Sequence, residues 1–132
     1  MIGLIIISHA RLASELLSAA EFILGKIKNV EAIDILATTD PDSLEQRLAR
    51  SVKKLKDPDG VLILTDMFGG TPNNVSCALL EKDKVEVVTG VNLPMMIEAA
   101  TTREDNTLEI LAVKVSEKGQ NAINAAGALL VP

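Results

Sequence analysis

Five apolar β-formers run almost unbroken from Ile2 to Ile7 and stop at Ser8-His9, where a helical pattern begins. A continuous apolar run of this length reads as a strand buried on both faces, the central position of a parallel sheet. A strand covered on both sides needs helices above and below it. His9, the only histidine of the chain, stands just beyond the carboxyl end of this strand. In open α/β sheets that edge is where ligands bind.

The remaining chain supplies the helices and strands that such a centre demands. After His9, Leu12, Leu16, Leu17, Ala20, Ile23, Leu24 and Ile27 recur at helical spacing, with Gly25 and Lys26 near the stop. Val30 to Leu36 reads as a second strand, with Ile33 and Ile35 on one face. Asp40-Pro41 is a helix start, a capping carboxylate followed by proline at the first position. Leu44, Leu48, Val52 and Leu55 form the apolar stripe of that helix, and its charged opposite face reads as solvated surface. Asp57-Pro-Asp-Gly60 is a turn, and Val61 to Leu64 a third, fully apolar strand. In the loop after it, Thr71 is expected to cap a helix opened by Pro72, with Val75, Ala78 and Leu79 facing inward. Val85 to Thr89 is a fourth strand, and a short helix runs through Met95, Met96 and Ile97. Arg103 to Asn106 reads as a polar turn. The set 108, 111, 112, 115, 122, 123 and 126 fits one long helix ended by Gly127. Ala128 to Val131 reads as a short edge strand.

Strand and helix alternate, which predicts a doubly wound α/β fold with a mostly parallel sheet and helices on both faces. The first and third strands are the most apolar and should be central and adjacent. The loops at His9 and at Asp66 to Thr71 would then face each other across the crevice. With no linker or repeat in 132 residues, residues 1–132 read as a single domain.

Charge and composition narrow the chemistry. A net charge of −5 and only 2% aromatic residues argue against a nucleic-acid partner. One cysteine excludes an internal disulfide framework and a Cys-rich metal site, and no cluster has metal-ligand spacing. No metal and no cofactor are expected. Met1 leads directly into the strand, without the flanks of a signal peptide, and no apolar run reaches membrane-spanning length. A cytoplasmic domain without direct membrane insertion is expected.

Three features carry chemistry. His9 can act as nucleophile and base near neutral pH. A lone loop histidine often has no role, but a buried strand delivers this one to the sheet's active edge. Asp66 lies at the same edge and could accept one imidazole N–H, fixing the tautomer and leaving the other nitrogen to attack. Gly69-Gly70-Thr71-Pro72 lets successive N–H groups point into one concavity at a helix start, an anion site suited to phosphate. Neither a Walker A loop nor a Rossmann glycine fingerprint is present. Arg11 could attract an anion or simply be solvated. Cys77 reads as buried and inert, and Met95-Met96 as packing or as a cover for the crevice. Together the three features describe a phosphohistidine that takes a phosphoryl group from a donor and passes it on.

The strand ending in Ser-His9, the segment Thr-Asp66-Met-Phe-Gly-Gly-Thr71-Pro-Asn73 and the segment Thr89-Gly-Val-Asn-Leu-Pro-Met95 resemble the IIA domain of the mannose class of the bacterial phosphoenolpyruvate-dependent sugar phosphotransferase system. The resemblance runs from Met1 to at least Val115. It implies that His9 accepts phosphate on Nε2 from the phosphocarrier protein HPr and donates it to a histidine of a IIB component. It implies that Asp66 pairs with Nδ1 and that the backbone around Gly70 and Thr71 holds the phosphoryl oxygens, with Gly69 and Asn73 in the same phosphate loop. It further implies a homodimer that exchanges a C-terminal strand, for which Ala128 to Val131 is the candidate. The chain stops where longer relatives continue into IIB, so the IIB partner is expected on a separate chain. Three alternatives remain at this level: a regulatory phosphoprotein of the same system without transport, the phosphotransfer subunit of the dihydroxyacetone kinase system, and a flavodoxin-like ligand-binding domain in which His9 is dispensable.

Overall fold

The computed structural model describes residues 1–55 and 59–132. Four strands, β1 (Gly3–His9), β2 (Val30–Ile35), β3 (Val61–Thr65) and β4 (Val85–Thr89), alternate with α1 (Leu12–Leu24), α2 (Pro41–Leu55), α3 (Thr71–Cys77) and α4 (Leu93–Thr102). A 3-10 turn at Arg103–Asp105, α5 (Leu108–Asn121) and α6 (Ala126–Leu130) complete the chain. The sheet is parallel throughout in the order β2-β1-β3-β4. The two most apolar strands are therefore adjacent and central, as their composition requires.

The handedness of the crossovers assigns the faces. The chain leaves β1 in one direction for β2, then crosses back over β1 to β3 and continues to β4. Right-handed connections then put α1 on one face and α2 and α3 on the other. Alternate residues of β1 feed two cores. Leu4 and Ile6 pack with α1, α4 and α5. Ile5 and Ile7 pack with α2, with Val75 of α3 and with Leu79 just after that helix. Ile5, Ile6 and Ile7 are each 0% exposed, and each such burial contributes roughly 1.5–3 kcal/mol. At Gly3 a Cβ would lie 2.6 Å from the Leu55 Cβ and 2.7 Å from the Val61 Cγ2. Only glycine lets the last turn of α2 lie so close to β1.

Helix starts follow local chemistry. Asp40 accepts from the Ser43 N–H at 3.0 Å and opens α2 at Pro41. Asn92 accepts from the Met95 N–H at 3.1 Å and donates from its amide to the Gly119 carbonyl at 3.2 Å, joining α4 to α5. Met95 and Met96 are buried core residues rather than a cover for the crevice.

Several expectations are corrected. The segment read as an edge strand, Ala128 to Val131, lies in and after α6, and all of its residues are exposed. Within this single chain it closes its own backbone bonds, Ala128 N–H to the Ala125 carbonyl and Val131 N–H to the Gly127 carbonyl. The long helix stops at Asn121 rather than at Gly127, because residues 122, 123 and 126 find no core to enter: Ile123 is 79% exposed. Leu12, Ile23 and Leu24 on α1 are exposed, and Ile27 is buried beyond the helix end. Ala78 faces solvent. Thr71 lies inside α3 and the cap position belongs to Gly70. His9 is the last residue of β1, not the residue beyond it. Of the turn expected at 57–60, residues 57 and 58 lie outside the described residues.

Candidate active site

The switch point between β1 and β3 brings the two predicted residues together. His9 ends β1, and Asp66 follows β3 by one residue. The register pairs Ile7 with Thr65, so both chains leave the sheet side by side. One carboxylate oxygen of Asp66, Oδ2, accepts from the His9 backbone N–H at 2.9 Å and lies 2.8 Å from His9 Nδ1. The other oxygen accepts from the Met67 N–H at 3.0 Å. Burial pushes the Asp66 carboxyl up. The two hydrogen bonds from His9, the imidazole charge and the Met67 N–H outweigh it and hold the group below its usual value of 3.8.

That direction fixes the tautomer. An ionised carboxylate only accepts, so the hydrogen on the shared line belongs to Nδ1. In the neutral imidazole Nε2 then carries the lone pair. The His9 side chain is 51% exposed and that of Asp66 only 11%. The carboxylate is sheltered and the imidazole is half-exposed.

Nε2 faces the start of α3. A Cβ built on Gly70 would lie 3.6 Å from Nε2 and 3.4 Å from Cε1 of His9, so the bare Cα of Gly70 preserves space beside the ring. Gly69 and Gly70 have φ of 78° and 84°, which side chains resist. Among the described residues no side chain caps α3. The first-turn N–H groups of Thr71 and Asn73 have no intrahelical acceptor. Asn73 itself is buried, and its carboxamide oxygen accepts from the Cys77 thiol at 3.7 Å, within α3. The backbone N–H of Asn73, not that oxygen, is its contribution to the helix start. Cys77 is half-buried.

The start of α1, on the other side of His9, has two of its first-turn N–H groups taken by side chains. The Ser8 hydroxyl accepts from the Ala13 N–H at 2.6 Å, and Asp34 accepts from the Ser14 N–H at 3.1 Å. Between them Ala10 adopts φ 50°, with its N–H on the Ile35 carbonyl at 2.8 Å. A left-handed alanine costs roughly 1–2 kcal/mol and is tolerated because β2 pins it. Arg11, exposed, occupies the N-cap of α1 without a side-chain cap bond. Sequence reasoning passed over Ser8 and Asp34. The only signal was a polar residue next to the last in each of β1 and β2, which the register places opposite each other.

Fold and site together define a doubly wound α/β domain built on a half-exposed histidine held by a sheltered aspartate. A family model described as "PTS system fructose IIA component", PTS being the phosphotransferase system, matches residues 3–116. The chain is 35% identical over 129 residues to the PTS system mannose-specific EIIAB component of Escherichia coli (strain K12), covering 94% of this chain and 40% of that protein. It thus spans well under half the length of that relative. It is 30% identical over 125 residues to the PTS system sorbose-specific EIIA component of Lacticaseibacillus casei, covering 92% of this chain and 90% of that one. The crystal structure of phosphotransferase system component EIIA from Streptococcus agalactiae superposes with a TM-score of 0.89 at 32% identity, over 97% of this chain and 99% of that one. The chain belongs to the mannose-, sorbose- and fructose-type IIA family of the sugar phosphotransferase system. No helix among the described residues is long and apolar enough to cross a membrane.

Proposed function

We propose that this protein is a phosphocarrier in which His9 is the phosphoryl acceptor. HPr, phosphorylated on a histidine, is the donor, and a histidine of a IIB component is the next acceptor on the way to sugar uptake. Nε2 attacks phosphorus, the new N–P bond forms as the donor's N–P bond breaks, and the Nδ1 proton stays on the line to Asp66. Asp66 holds the ring in the attacking tautomer and offsets the positive charge that develops on it. The backbone of Gly69, Gly70, Thr71 and Asn73 receives the phosphoryl oxygens. Residues 1–132 act as one IIA domain in the cytoplasm, as a homodimer. One observation carries the reading above the others: Nδ1 is bonded to a sheltered carboxylate while Nε2 opens toward an uncapped helix start.

Intact mass after incubation with phosphoenolpyruvate, enzyme I and HPr tests it. An acid-labile gain of about 80 Da, one phosphoryl group on the histidine nitrogen, is expected on wild type and not on His9→Ala. No gain on wild type would overturn the assignment.

A further inference from the structure

We propose that Asp34 is a positioning residue for His9, acting through the turn that joins β1 to α1. The inference rests on the phosphocarrier reading of His9. His9 is gripped from the β3 side by Asp66, through both its backbone N–H and its ring. Among the described residues, no hydrogen bond from that side restrains the reversal that follows. The chain turns between His9 and Leu12 through the left-handed Ala10, a conformation that an alanine leaves unless it is held.

The hold comes from β2. Asp34 stands opposite Ser8 in the β1–β2 register, and Ile35 opposite His9. The Ile35 carbonyl takes the Ala10 N–H. Asp34 reaches past the turn and takes both the backbone N–H and the hydroxyl of Ser14, one on each carboxylate oxygen. Ser8, buried beneath, takes the Ala13 N–H. The first turn of α1 is thus fastened at two successive residues to the sheet edge that carries His9. The same contacts occupy the N–H groups of Ala13 and Ser14 in the first turn of α1.

Without the Asp34 carboxylate, the start of α1 can move outward and Ala10 can relax. The Cα of His9 then shifts against Asp66, which is fixed to β3. The expected result is a poorer in-line approach with unchanged donor binding.

The test compares wild type, Asp34→Ala and Asp34→Asn. Asparagine keeps the clamp, since its oxygen accepts from the Ser14 N–H and its amide donates to the Ser14 hydroxyl. Single-turnover phosphorylation by phospho-HPr should show kcat lowered about tenfold in Asp34→Ala, KM unchanged, and Asp34→Asn within about twofold of wild type. In the unphosphorylated proteins, the His9 Nδ1–H proton resonance should be sharp in wild type and Asp34→Asn and broadened by solvent exchange in Asp34→Ala. Thermal melts confirm that each variant is folded at the assay temperature. Wild-type kcat in Asp34→Ala overturns the proposal, as does a loss confined to KM. An Asp34→Asn variant as slow as Asp34→Ala also overturns it, because charge and not the clamp would then be at work. If wild type accepts no phosphoryl group, the phosphocarrier reading fails. The proton resonance still decides whether Asp34 positions His9.

Discussion

The two ends of one sheet do opposite work. At the amino end most polar groups are consumed internally, although the buried Arg103 Nε has no partner among the described residues. The buried Arg103 guanidinium donates to the carbonyls of Ile2, Lys28 and Asn29, and the Met1 amine pairs with Asp59. At the carboxyl end they are left open. His9 is half-exposed, the first turn of α3 is uncapped, and Phe68 is 80% exposed beside them. The strands between are the same. What differs is whether the loops satisfy their own donors and acceptors, and that difference separates the anchored end from the end that can do chemistry.

Substitutions at the two ends should therefore fail in different assays. The largest effect belongs to His9→Ala, which should abolish phosphoryl acceptance while leaving the thermal midpoint within a degree or two, roughly the scatter expected of an exposed site. Unfolding of that variant would break the comparison. Next in size is Arg103→Ala. Burial lowers the Arg103 pKa, and the guanidinium still meets carbonyls from Ile2, just before β1, and from the turn before β2. Its removal strands those carbonyls and should cost roughly 2–4 kcal/mol, or about 10 °C in Tm, with phosphoryl transfer unaltered in the fraction that stays folded. Gly70→Ala should slow transfer about 100-fold, because the new Cβ would lie 3.6 Å from Nε2 on a backbone at φ 84°. Transfer kinetics near wild type in this variant would move the reacting face of the ring away from α3.

The same contrast explains what could be read from the sequence. The core strands announced themselves, since Ile2 to Ile7 and Val61 to Leu64 are apolar enough to allow only a central position. His9 and Asp66 followed from standing at the ends of those strands. The α1 clamp did not, because Ser8 and Asp34 acquire meaning only once parallel pairing sets them opposite each other. Arg103 read as part of a polar turn, since its three carbonyl partners come from residues 2, 28 and 29. The chain end misled for a different reason. Residues 123 to 131 are apolar enough for strand or helix, and burial, which normally decides, is absent there.

A smaller effect tests the electrostatics of the open end. Asp66 has its pKa lowered in the folded state, so it contributes stability that is present above the unfolded aspartate value, about 3.9, and is lost as pH falls through the lower folded value. Asp66→Asn should remove this term. Its stability should fall less steeply than that of wild type below about pH 4, as acid titration followed by circular dichroism would show. The same variant should transfer more slowly at neutral pH, since an amide cannot hold the Nδ1–H tautomer as a carboxylate does. Parallel acid limbs in the two proteins would mean that the His9–Asp66 contact adds nothing to folding and serves orientation alone.

The smallest expected change lies where the two regimes meet. Thr65, the last residue of β3, is completely buried, and its hydroxyl has no partner among the described residues. An unpaired buried hydroxyl costs about 1–3 kcal/mol, part of which side-chain replacement should recover. Thr65→Val keeps the β-branched shape and removes the orphan oxygen. It should raise stability by up to about 1 kcal/mol, a shift of a few degrees in Tm. The residue belongs to the strand and its backbone carbonyl still accepts from the Val91 N–H, so the position of Asp66 should not change. If the variant melts higher and transfers phosphate as wild type does, the hydroxyl belongs to the anchored interior. If it melts higher and transfers more slowly, the open end extends one residue into the strand, and that oxygen has a partner only when His9 is phosphorylated.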